Sequence, residues 1–585
     1  MPDSVSSAVE DPYARWVREH DTLSGDDRRL IRAHVAALPC WPLISVVMPA
    51  YETPDALLRD AIASVRAQLY PDWELCVADD ASPSPRVARV LDEAAAADPR
   101  VRWVRRAENG HIAAATNTAL SLATGAFVAL MDHDDLLAER ALYEVAVELA
   151  AHPDADVIYS DEDRVDARGQ RSAPYLKPMW SPELLAGHNM ISHLGVYRRA
   201  LLERIGGLRE GYEGSQDWDL ALRATAATTP DRVRHIPAVL YHWRWQAGTP
   251  SFSEAWLERC QDAGRRAVED WLAAEGVAGA RVEPAPLAPG WTRVAYPVPD
   301  PAPRVSVIVP TRDRAALLEA ACAGVLHGTS LPADRIELLV VDNGSTEPRA
   351  LALLDQLAAD PRVRVLRAPG AFNYSRLNNL AAAHASGDLL VLLNNDVEVM
   401  DPQWLREMAG HALRREVGVV GAKLLYPDGR VQHGGVALGP DAAAGHVLRH
   451  AEPDEPGYFG QVGLARALSA VTGACLALRR SVFEEVGGLD EALAVAFNDV
   501  DLCLRVRDHG YRVVWTPDAV LLHRESATRG QDSEPENRAR AEAEWALMRR
   551  RWGRALDDDP YHNPNLVLHA QPAPVIPAPP RRAPP

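Results

Sequence analysis

The sequence predicts an α/β protein made of two tandem domains, each built on a mainly parallel sheet. Short apolar runs alternate with helical stretches, which is typical of parallel strands joined by helical crossovers. The pattern occurs twice, because Pro49 and Pro310 lie 261 residues apart and Asp134 and Asp396 lie 262 apart. A repeat of this length indicates a duplicated domain rather than a solenoid. In both copies acidic residues follow the predicted strands, which points to chemistry as well as packing.

The first domain is expected to start at Ile44, after a short helical extension. Its predicted elements are strands over 44–48, 75–78 and 126–131 and helices over 55–69 and 113–123. The strands are short apolar runs, as expected for strands buried on both faces of a sheet. The strand over 126–131 ends at a cluster of carboxylates, at the edge where open α/β sheets bind ligands.

The second domain repeats these elements, with strands over 305–309, 337–341 and 389–393 and a helix over 315–326. The offset between the copies rises from 262 to 282, so the second copy carries about 20 extra residues. The turn-rich stretch 426–459 is the predicted insertion. The expected division of the chain is a helical extension (1–43), domain 1 (44–250), a helix and Pro-rich linker (251–302), domain 2 (303–530), a C-terminal helical extension (531–570) and a disordered tail (571–585).

The composition narrows the class of protein. The formal charge of −19 argues against a broad face that binds nucleic acid. The six cysteines show no CxxC spacing, which indicates reduced thiols. The polar N-terminus does not resemble a signal peptide, and no apolar run approaches the roughly 20 residues that span a bilayer. We therefore expect a cytoplasmic protein, with peripheral contact at the inner face of the cell membrane left open.

An acidic cluster of Asp132, Asp134 and Asp135 follows a predicted buried strand. Neighbouring carboxylates repel one another unless a cation or hydrogen-bond donors lie among them. Mg²⁺ binds through a few carboxylate oxygens and leaves positions for phosphate oxygens. A solvated turn is the plain alternative. The equivalent stretch of the second repeat carries Asp396 and Glu398, and this repetition favours a functional role.

Two further acidic residues, Asp79 and Asp342, recur after the second strand of each repeat. Such residues often form turns through bonds between the side chain and the backbone. The functional alternative is a carboxylate that recognises a nucleobase edge or a ribose. For Asp79 taken alone, the turn is the simpler interpretation.

Both repeats place a D-x-D-L-x-L-R run at the predicted start of a helix, beginning at Asp217 and Asp499. In a structural interpretation the first Asp caps the helix and the second meets its dipole. In a chemical interpretation the first Asp is a general base. His242 and His523 follow 25 and 24 residues later, and neutral imidazoles there could complete the coordination of a metal.

These positions together resemble two copies of the family 2 inverting glycosyltransferase domain, which has the Rossmann-like GT-A fold. The resemblance covers about residues 44–250 and 303–530, and it extends to GSQDWDLALR (214–223), YHWR (241–244), FNYS (372–375) and NND (394–396). The tandem arrangement, with YHNPNL over 561–566, is similar to bacterial O-antigen and rhamnan biosynthesis glycosyltransferases.

The resemblance implies a role for each position. The nucleotide-binding residues would be Pro49, Tyr51, Asp79, Asp80, Pro310 and Asp342. The ligands of Mg²⁺ or Mn²⁺ would be Asp132, Asp134, His242, Asp396, Glu398 and His523. The catalytic bases would be Asp217 and Asp499. The copies depart from the family pattern at Asn394, which stands where the first copy has Asp132, and at Gln216 and Asn498, which stand where a Glu usually precedes the base.

The implied activity is metal-dependent, inverting transfer of a hexosyl or deoxyhexosyl unit from a dTDP-, UDP- or GDP-sugar. The acceptor would be a glycan or lipid-linked glycan, with contact to the inner membrane or export machinery left open and no nucleic acid involved. One alternative keeps a single catalytic domain and makes the other a nucleotide- or glycan-binding scaffold. A nucleotidyltransferase is not supported, because residues 50–56 contain no basic Gly-rich loop for a triphosphate. A dehydrogenase is not supported either, because no G-x-G-x-x-G motif follows Val47 or Val309.

Overall fold

The structure, a computed structural model, describes residues 11–245, 248, 256–439, 444–524 and 535–567. It contains two large sheets of corresponding topology, one in each repeat. The tail predicted over 571–585 lies outside the described residues. No helix in the described ranges is long and apolar enough to cross a membrane.

The first sheet has nine strands: β1 (Ile44–Ala50), β2 (Trp73–Asp79), β3 (Val101–Arg105), β4 (Phe127–Leu130), β5 (Leu136–Leu137), β6 (Val157–Val165), β7 (Arg171–Tyr175), β8 (Gly195–Arg198) and β9 (Val233–Arg244). Their order is β3-β2-β1-β4-β8-β6-β9-β5, and β7 pairs with β6. The strands β3, β2, β1 and β4 are parallel, whereas β8 is antiparallel to both of its neighbours.

The helices up to the end of the first sheet are α1 (Pro12–His20), α2 (Gly25–Ala37), α3 (Asp55–Arg66), α4 (Arg86–Ala97), α5 (His111–Leu120), α6 (Ala141–Ala151), α7 (Pro182–Gly187), α8 (Arg199–Ile205) and α9 (Gln216–Ala226). A capping box begins α2, because the Ser24 hydroxyl accepts from the Asp27 amide and the Asp27 carboxylate accepts from the Ser24 amide. The apolar face of α2 packs on the first sheet through Ile31 and Val35.

A helix and a hairpin join the sheets: α10 (Leu257–Ala274), β10 (Arg281–Pro284) and β11 (Thr292–Ala295). The Pro-rich stretch predicted as a linker is therefore an ordered hairpin. Its residues Val282 and Ala288 lie in the hydrophobic core of the first domain. Arg293 of β11 forms ion pairs with Glu407 and Asp518 of the second domain. The prolines did not prevent pairing because β10 and β11 form an isolated two-stranded sheet, in which Pro284 occupies an end position.

The second sheet contains β12 (Val305–Thr311), β13 (Ile336–Asp342), β14 (Val363–Arg367), β15 (Leu389–Leu393), β16 (Val397–Val399), β17 (Val417–Leu425), β18 (Val431–His433), β21 (Arg466–Leu468), β22 (Cys475–Arg479) and β23 (Arg512–His523). Its order is β14-β13-β12-β15-β22-β17-β23-β16, the same as in the first sheet. A separate hairpin pairs β19 (Val436–Ala437) with β20 (Gly445–His446).

The later helices are α11 (Ala315–His327), α12 (Pro348–Leu357), α13 (Tyr374–Ala382), α14 (Trp404–Ala412), α15 (Arg480–Glu485), α16 (Asn498–Asp508) and α17 (Pro535–Trp552). Short 3₁₀ turns cover Pro230–Arg232, Ala333–Arg335, Tyr458–Gly460 and Gly553–Leu556. The extra material of the second repeat begins after β18, because β18 pairs with β17 as β7 pairs with β6. It includes the β19–β20 hairpin and the turn at Tyr458.

The pairing of β1 with β2 has the same register as the pairing of β12 with β13 at the carboxyl ends of these strands. Ala50 of β1 pairs with Asp79 of β2, and Thr311 of β12 pairs with Asp342 of β13. Every residue of β1 and β12 is buried, which explains why their sequences are mainly apolar. The predicted α/β fold class is confirmed, and the carboxyl ends of the central strands lie side by side in both repeats.

The two domains are in direct contact. Glu183 of α7 is 4% exposed and forms ion pairs with Arg414 at 2.9 Å and with Arg512 at 3.0 Å across the interface. After α17 the chain returns to the first domain, where Asn563 Nδ2 donates to Asp161 Oδ2 at 2.8 Å. The C-terminal segment therefore links the second domain to the first.

Candidate active sites

The carboxyl ends of β1 and β2 hold the predicted nucleotide-binding residues of the first repeat. Asp79 is fully buried, and its Oδ1 accepts from the Ser82 amide at 3.0 Å. This is the expected turn bond. Its Oδ2 is buried, lies 3.6 Å from Arg105 Nη1 and has no hydrogen-bond partner among the described residues, so only Oδ1 is held by the turn.

The neighbouring Asp80 organises the loop before α5. Its carboxylate accepts from the Gly110 amide at 3.0 Å and forms an ion pair with Arg106 at 2.8 Å. Pro49 lies within β1, and Tyr51 follows that strand with 45% of its surface exposed. The exposed ring of Tyr51 is thus at the sheet edge, whereas Asp80 is committed to contacts within the protein.

The second repeat has the same turn bond, and an arginine also binds the other carboxylate oxygen. Asp342 Oδ1 accepts from the Ser345 amide at 2.9 Å, and Oδ2 accepts from Arg367 Nη1 at 2.7 Å. Burial opposes the charge, but these donors hold the pKa of Asp342 below its usual value. Pro310 lies within β12 beside it, paired with Val341. Asp342 is therefore an ionised, buried carboxylate at the sheet edge.

A cluster around Asp132 forms the centre of the first candidate site. His193 Nε2 lies 3.5 Å from Asp132 Oδ2, and the His193 ring stacks on Tyr241 with centroids 4.4 Å apart. Burial opposes charge on both groups, but Asp132 raises the pKa of His193 to about 9, and His193 lowers the pKa of Asp132. The buried His193 and the partly exposed Asp132 therefore form an ion pair at the Asp132–Asp135 loop.

The remaining carboxylates of this loop differ in environment. Asp134 has 47% of its side chain exposed, whereas Asp135 is 4% exposed and accepts from Tyr241 Oη at 2.8 Å and from the Arg244 amide at 2.7 Å. Burial and the charges of Asp132 and Asp134 raise the pKa of Asp135 to about 8. Asp134 is therefore the solvent-exposed carboxylate of the loop, whereas both oxygens of Asp135 are held by protein donors.

Asp217 lies in the first turn of α9 and is not its cap. Ser215 occupies the N-cap position without a capping bond, which corrects the structural interpretation made from the sequence. Asn189 Nδ2 donates to Asp217 Oδ2 at 2.8 Å. Burial raises the pKa of Asp217, Asp132 raises it further, and His193 opposes the shift. Asp217 is therefore electrostatically coupled to the Asp132–His193 pair, with a raised pKa that suits a proton acceptor.

In the second repeat Asp396 is 4% exposed and its Oδ1 lies 3.2 Å from His523 Nε2. His523 Nδ1 is 2.7 Å from Gln432 Oε1, which orients the ring. Glu398, the other predicted metal ligand, instead accepts from Arg524 Nε at 2.6 Å at the surface. The structure brings Asp396 and His523 together and pairs Glu398 with an arginine.

Asp499 occupies the same place as Asp217, in the first turn of α16 after Phe497 at the N-cap. Its Oδ2 accepts from the Gly473 amide at 2.7 Å, and Tyr374 Oη donates to the Gly473 carbonyl at 2.6 Å. In both repeats a donor from the loop before β8 or β22 thus positions the carboxylate.

His242 is not part of the first cluster. Its Nδ1 lies 2.6 Å from Asp163 Oδ1, and Asp163 also accepts from Tyr13 Oη at 2.6 Å and from Arg171 Nε at 2.5 Å. Side chains alternate between faces along a strand. Tyr241 contacts Asp135, so the next residue, His242, lies on the other face. The structure therefore gives His242 a packing role beneath α1.

The strand registers explain why the two histidines differ. Asp163 pairs with His242, and the residue 262 positions later, Leu425, pairs with Leu522. His523 therefore corresponds to Trp243, which packs against His193 with centroids 4.8 Å apart. The sequence comparison aligned His242 with His523, and this alignment is wrong by one residue. Because neighbouring residues of a strand point to opposite faces, the two histidines lie on opposite faces of their sheets.

Sequence reasoning missed His193 and Asn189. The residue 281 positions after His193 is Ala474, so no repetition between the two copies marks His193. Asn189 lies in an irregular segment between α7 and β8, where no periodicity gives a signal. Only the packing of that segment against the Asp132 loop reveals either residue.

The acidic positions suit a divalent cation that is shared with a ligand. Among the described residues no three His, Cys, Asp or Glu side chains converge as a complete metal site. Asp396 Oδ1 is nonetheless buried without a hydrogen-bond partner among the described residues, and burial, with the charges of Asp132 and Asp134, raises the pKa of Asp135. Mg²⁺ commonly binds through one or two carboxylates and completes its shell with water and substrate phosphate. The residues fit that mode of binding.

Comparisons with known proteins agree with these arrangements. The family model "Glycosyl transferase family 2" matches residues 45–206 and 306–487, more than half of the chain. An uncharacterised protein, y4gI, of Sinorhizobium fredii is 47% identical over 94% of this chain and 60% of its own length. The O-antigen biosynthesis protein RfbC of Myxococcus xanthus is 43% identical over 92% of this chain and 41% of its own length. The chain thus spans less than two thirds of either relative.

One solved structure illustrates the structural comparisons. The mannosyltransferase PcManGT of Pyrobaculum calidifontis, in complex with GDP-Man and Mn²⁺, is 21% identical and matches 50% of this chain and 74% of its own, with a TM-score of 0.33. The assignment rests on the family model, which matches both repeats over the strands that carry the acidic residues. The chain therefore belongs to glycosyl transferase family 2 and is a glycosyltransferase.

Proposed function

We propose that the chain transfers hexosyl or deoxyhexosyl units, with inversion and with a divalent metal, from nucleotide-sugars to a growing cell-surface glycan. We further propose that each repeat holds an active site. The observation that carries this proposal is that each repeat holds two features: an acidic residue of the loop after β4 or β15 that lies beside a histidine, and an aspartate in the first turn of α9 or α16. The histidines are not equivalent in sequence, since His193 precedes β8 and His523 ends β23. The pairs are Asp132–His193 with Asp217 and Asp396–His523 with Asp499.

In this mechanism Asp217 and Asp499 accept the proton of the acceptor hydroxyl as it attacks the anomeric carbon. A single displacement inverts that carbon and needs no covalent nucleophile. Asn189 and the Gly473 amide hold the two carboxylates by one oxygen each. The burial that raises the pKa of Asp217 also makes it a better base than an exposed aspartate.

The donor nucleotide would bind at the carboxyl ends of β1 and β2, or of β12 and β13. Asp79 and Asp342 would contact the base or ribose. Asp132 and Asp134, or Asp396 with His523, would hold Mg²⁺ or Mn²⁺. A bound divalent cation would neutralise charge on the departing diphosphate. The dTDP-, UDP- and GDP-sugars are the candidate donors.

The acceptor would be a glycan of O-antigen, capsule or rhamnan type, free or lipid-linked. The name of the Myxococcus relative supports this class. A lipid-linked acceptor would bring the protein to the cytoplasmic face of the membrane as a peripheral partner.

A second candidate keeps one catalytic domain and makes the other a scaffold. Two observations favour it for the second repeat: Asn394 stands where the first has Asp132, and Glu398 is paired with Arg524. The retention of Asp396 and Asp499, with His523 beside Asp396, favours two active sites.

The decisive experiment is a panel of nucleotide-sugars with Mg²⁺ or Mn²⁺, assayed for release of nucleoside diphosphate with an acceptor glycan. Release that requires metal and falls in Asp217→Asn or Asp499→Asn supports the proposal. Release that is unchanged in the double variant contradicts the assigned bases. Loss of all release in Asp217→Asn, with none lost in Asp499→Asn, selects the scaffold alternative.

A further inference from the structure

A cavity of about 150 Å³ lies between the two domains. Tyr175, at the end of β7, and Phe459, in the insertion of the second repeat, line it with rings stacked 3.7 Å apart at 9°. The C-terminal segment borders it through Tyr561 and Leu566. An apolar cavity of about this volume can hold one six-membered ring, as an engineered cavity that binds benzene shows.

One lining residue, Arg466, carries a buried charge that contacts the Trp515 ring, 5.3 Å from its centroid, but pairs with no carboxylate of the described residues. Arg466 of β21 is 5% exposed, and its Nη2 donates to the Gly434 carbonyl at 2.8 Å. Its Nε is buried without a hydrogen-bond partner, and in the part of the chain that the structure describes no carboxylate pairs with it. Burial lowers the pKa of Arg466 to about 10, which leaves it charged at neutral pH.

An unpaired buried charge is costly to a folded protein. A guanidinium presents donors in a planar fork that matches carboxylate and phosphate oxygens. A bound oxyanion would therefore supply the negative partner that Arg466 lacks among the described residues. The neighbouring aromatic rings would contact the apolar face of the ring that carries it.

We propose that this interdomain cavity binds an anionic six-membered sugar unit of the acceptor glycan, with its oxyanion on Arg466 and its ring beside Tyr175 and Phe459. The inference rests on the proposed function for the identity of the acceptor as a glycan. The oxyanion is a carboxylate, as in a uronic acid, or a phosphate ester.

The position of the cavity favours the acceptor over the donor. On one side Lys177, two residues after Tyr175, donates from Nζ to the His193 carbonyl at 2.6 Å, next to the Asp132 cluster. On the other side His446 lines the cavity, and its Nδ1 lies 2.8 Å from Nδ1 of His433, which follows the Gln432 that orients His523. Short chains of contacts thus lead from the cavity toward both candidate active sites, whereas each donor would belong to one sheet edge.

The test is calorimetric titration of the full chain with D-glucuronate, glucose 6-phosphate and methyl glucoside, without nucleotide or metal. We expect the wild type to prefer the anions. Arg466→Met should lower the affinity for the preferred anion roughly ten- to a hundredfold, as expected for the loss of a hydrogen bond to a charged group. The affinity for methyl glucoside should not change. Whichever of glucuronate and glucose 6-phosphate binds more tightly identifies the oxyanion.

Two further variants separate binding from folding. Arg430→Gln is the matched control, because Arg430 belongs to the same repeat but pairs with Asp428 at the surface. It should bind all three sugars as the wild type does. Arg466→Lys keeps the charge without the fork, so it should fold and bind the anions more weakly than the wild type. This variant decides the question if Arg466→Met does not fold.

Removing a charge kept for a ligand should not lower the thermal unfolding midpoint of the Arg466→Met protein. Equal affinity of wild type and Arg466 variants for glucuronate and for glucose 6-phosphate would overturn the proposal. So would the absence of any binding by the wild type at 50 mM, roughly the concentration at which even very weak sites fill. No donor is present, so this result is independent of nucleoside diphosphate release, and either experiment can fail alone.

Discussion

At the scale of the residue, the two aspartates of each D-x-D run have different environments. Asp217 faces Asn189 and the Asp132–His193 pair, whereas Asp219 is fully buried and bound by Arg209 and Arg223. Asp501 repeats the second role with Arg505 and Arg551. The same short sequence therefore contains one proposed base and one structural anion, two residues apart.

We predict that Asp217→Asn and Asp499→Asn retain donor binding but lose turnover by about 10² to 10⁴-fold, the usual contribution of a general base. The measurement is kcat and KM for nucleoside diphosphate release, together with nucleotide affinity by titration. Asp219→Asn is the control and should lower the unfolding midpoint, because it weakens two buried ion pairs. A base variant that loses nucleotide affinity as much as turnover would identify a binding residue instead.

At the scale of the element, one residue of register in the last long strand decides which histidine meets the acidic loop. His523 of β23 lies 3.2 Å from Asp396, whereas His242 of β9 contacts Asp163 on the opposite face. We predict that His523→Ala reduces metal-dependent transfer by the second repeat.

The same change at His242 should act on stability alone. His242→Ala removes a bond to the buried Asp163, so we expect the free energy of unfolding to fall by about 1–3 kcal/mol. Thermal unfolding and metal titration of activity, measured on both variants, check the pair of predictions. A metal requirement altered by His242→Ala, with stability unchanged, would contradict the register argument.

The elements were largely predictable, and the site only in part. Buried strands such as Leu389–Leu393 have continuous apolar sequences, so their positions follow from local sequence. The Asp132 loop and the Asp217 run were found because they repeat. His193 was not, since its position is fixed by packing of an irregular segment, and the face of His242 depends on a bulged register that no local pattern reports.

At the scale of the whole molecule, the interface between domains rests on a buried charge cluster. Burial opposes the charge of Glu183, but Arg512 and Arg414 lower its pKa to about 2. A carboxyl whose folded pKa is depressed contributes stability above its unfolded pKa of 4.5, and this stability is lost as the pH falls toward 2.

We therefore predict that Glu183→Gln lowers the unfolding midpoint at pH 7, with a cost of about 3 kcal/mol from the loss of the paired charge. The difference from wild type should shrink as the pH falls from 4.5 toward 2, since the wild-type carboxyl is then protonated. Thermal unfolding over this range measures it. Glu203→Gln, which removes a surface pair with Arg199, should show neither effect. A constant difference at all pH values would show that Glu183 acts through shape alone.

The two proposed active sites lie on one chain. Two active domains in contact would raise the local concentration of the first product at the second site. The sites are not identical: Asn394 stands for Asp132, Ala474 stands for His193, and Phe372, 43% exposed, stands for Gly110. These differences lie where specificity would be set.

Asp217→Asn and Asp499→Asn proteins should therefore each make a different single-addition product from a common acceptor and a mixture of donors, and the intact chain should make a longer one. Mass and linkage analysis of the three reactions decides the matter, because identical products from the two variants would mean that the repeat duplicated a single specificity.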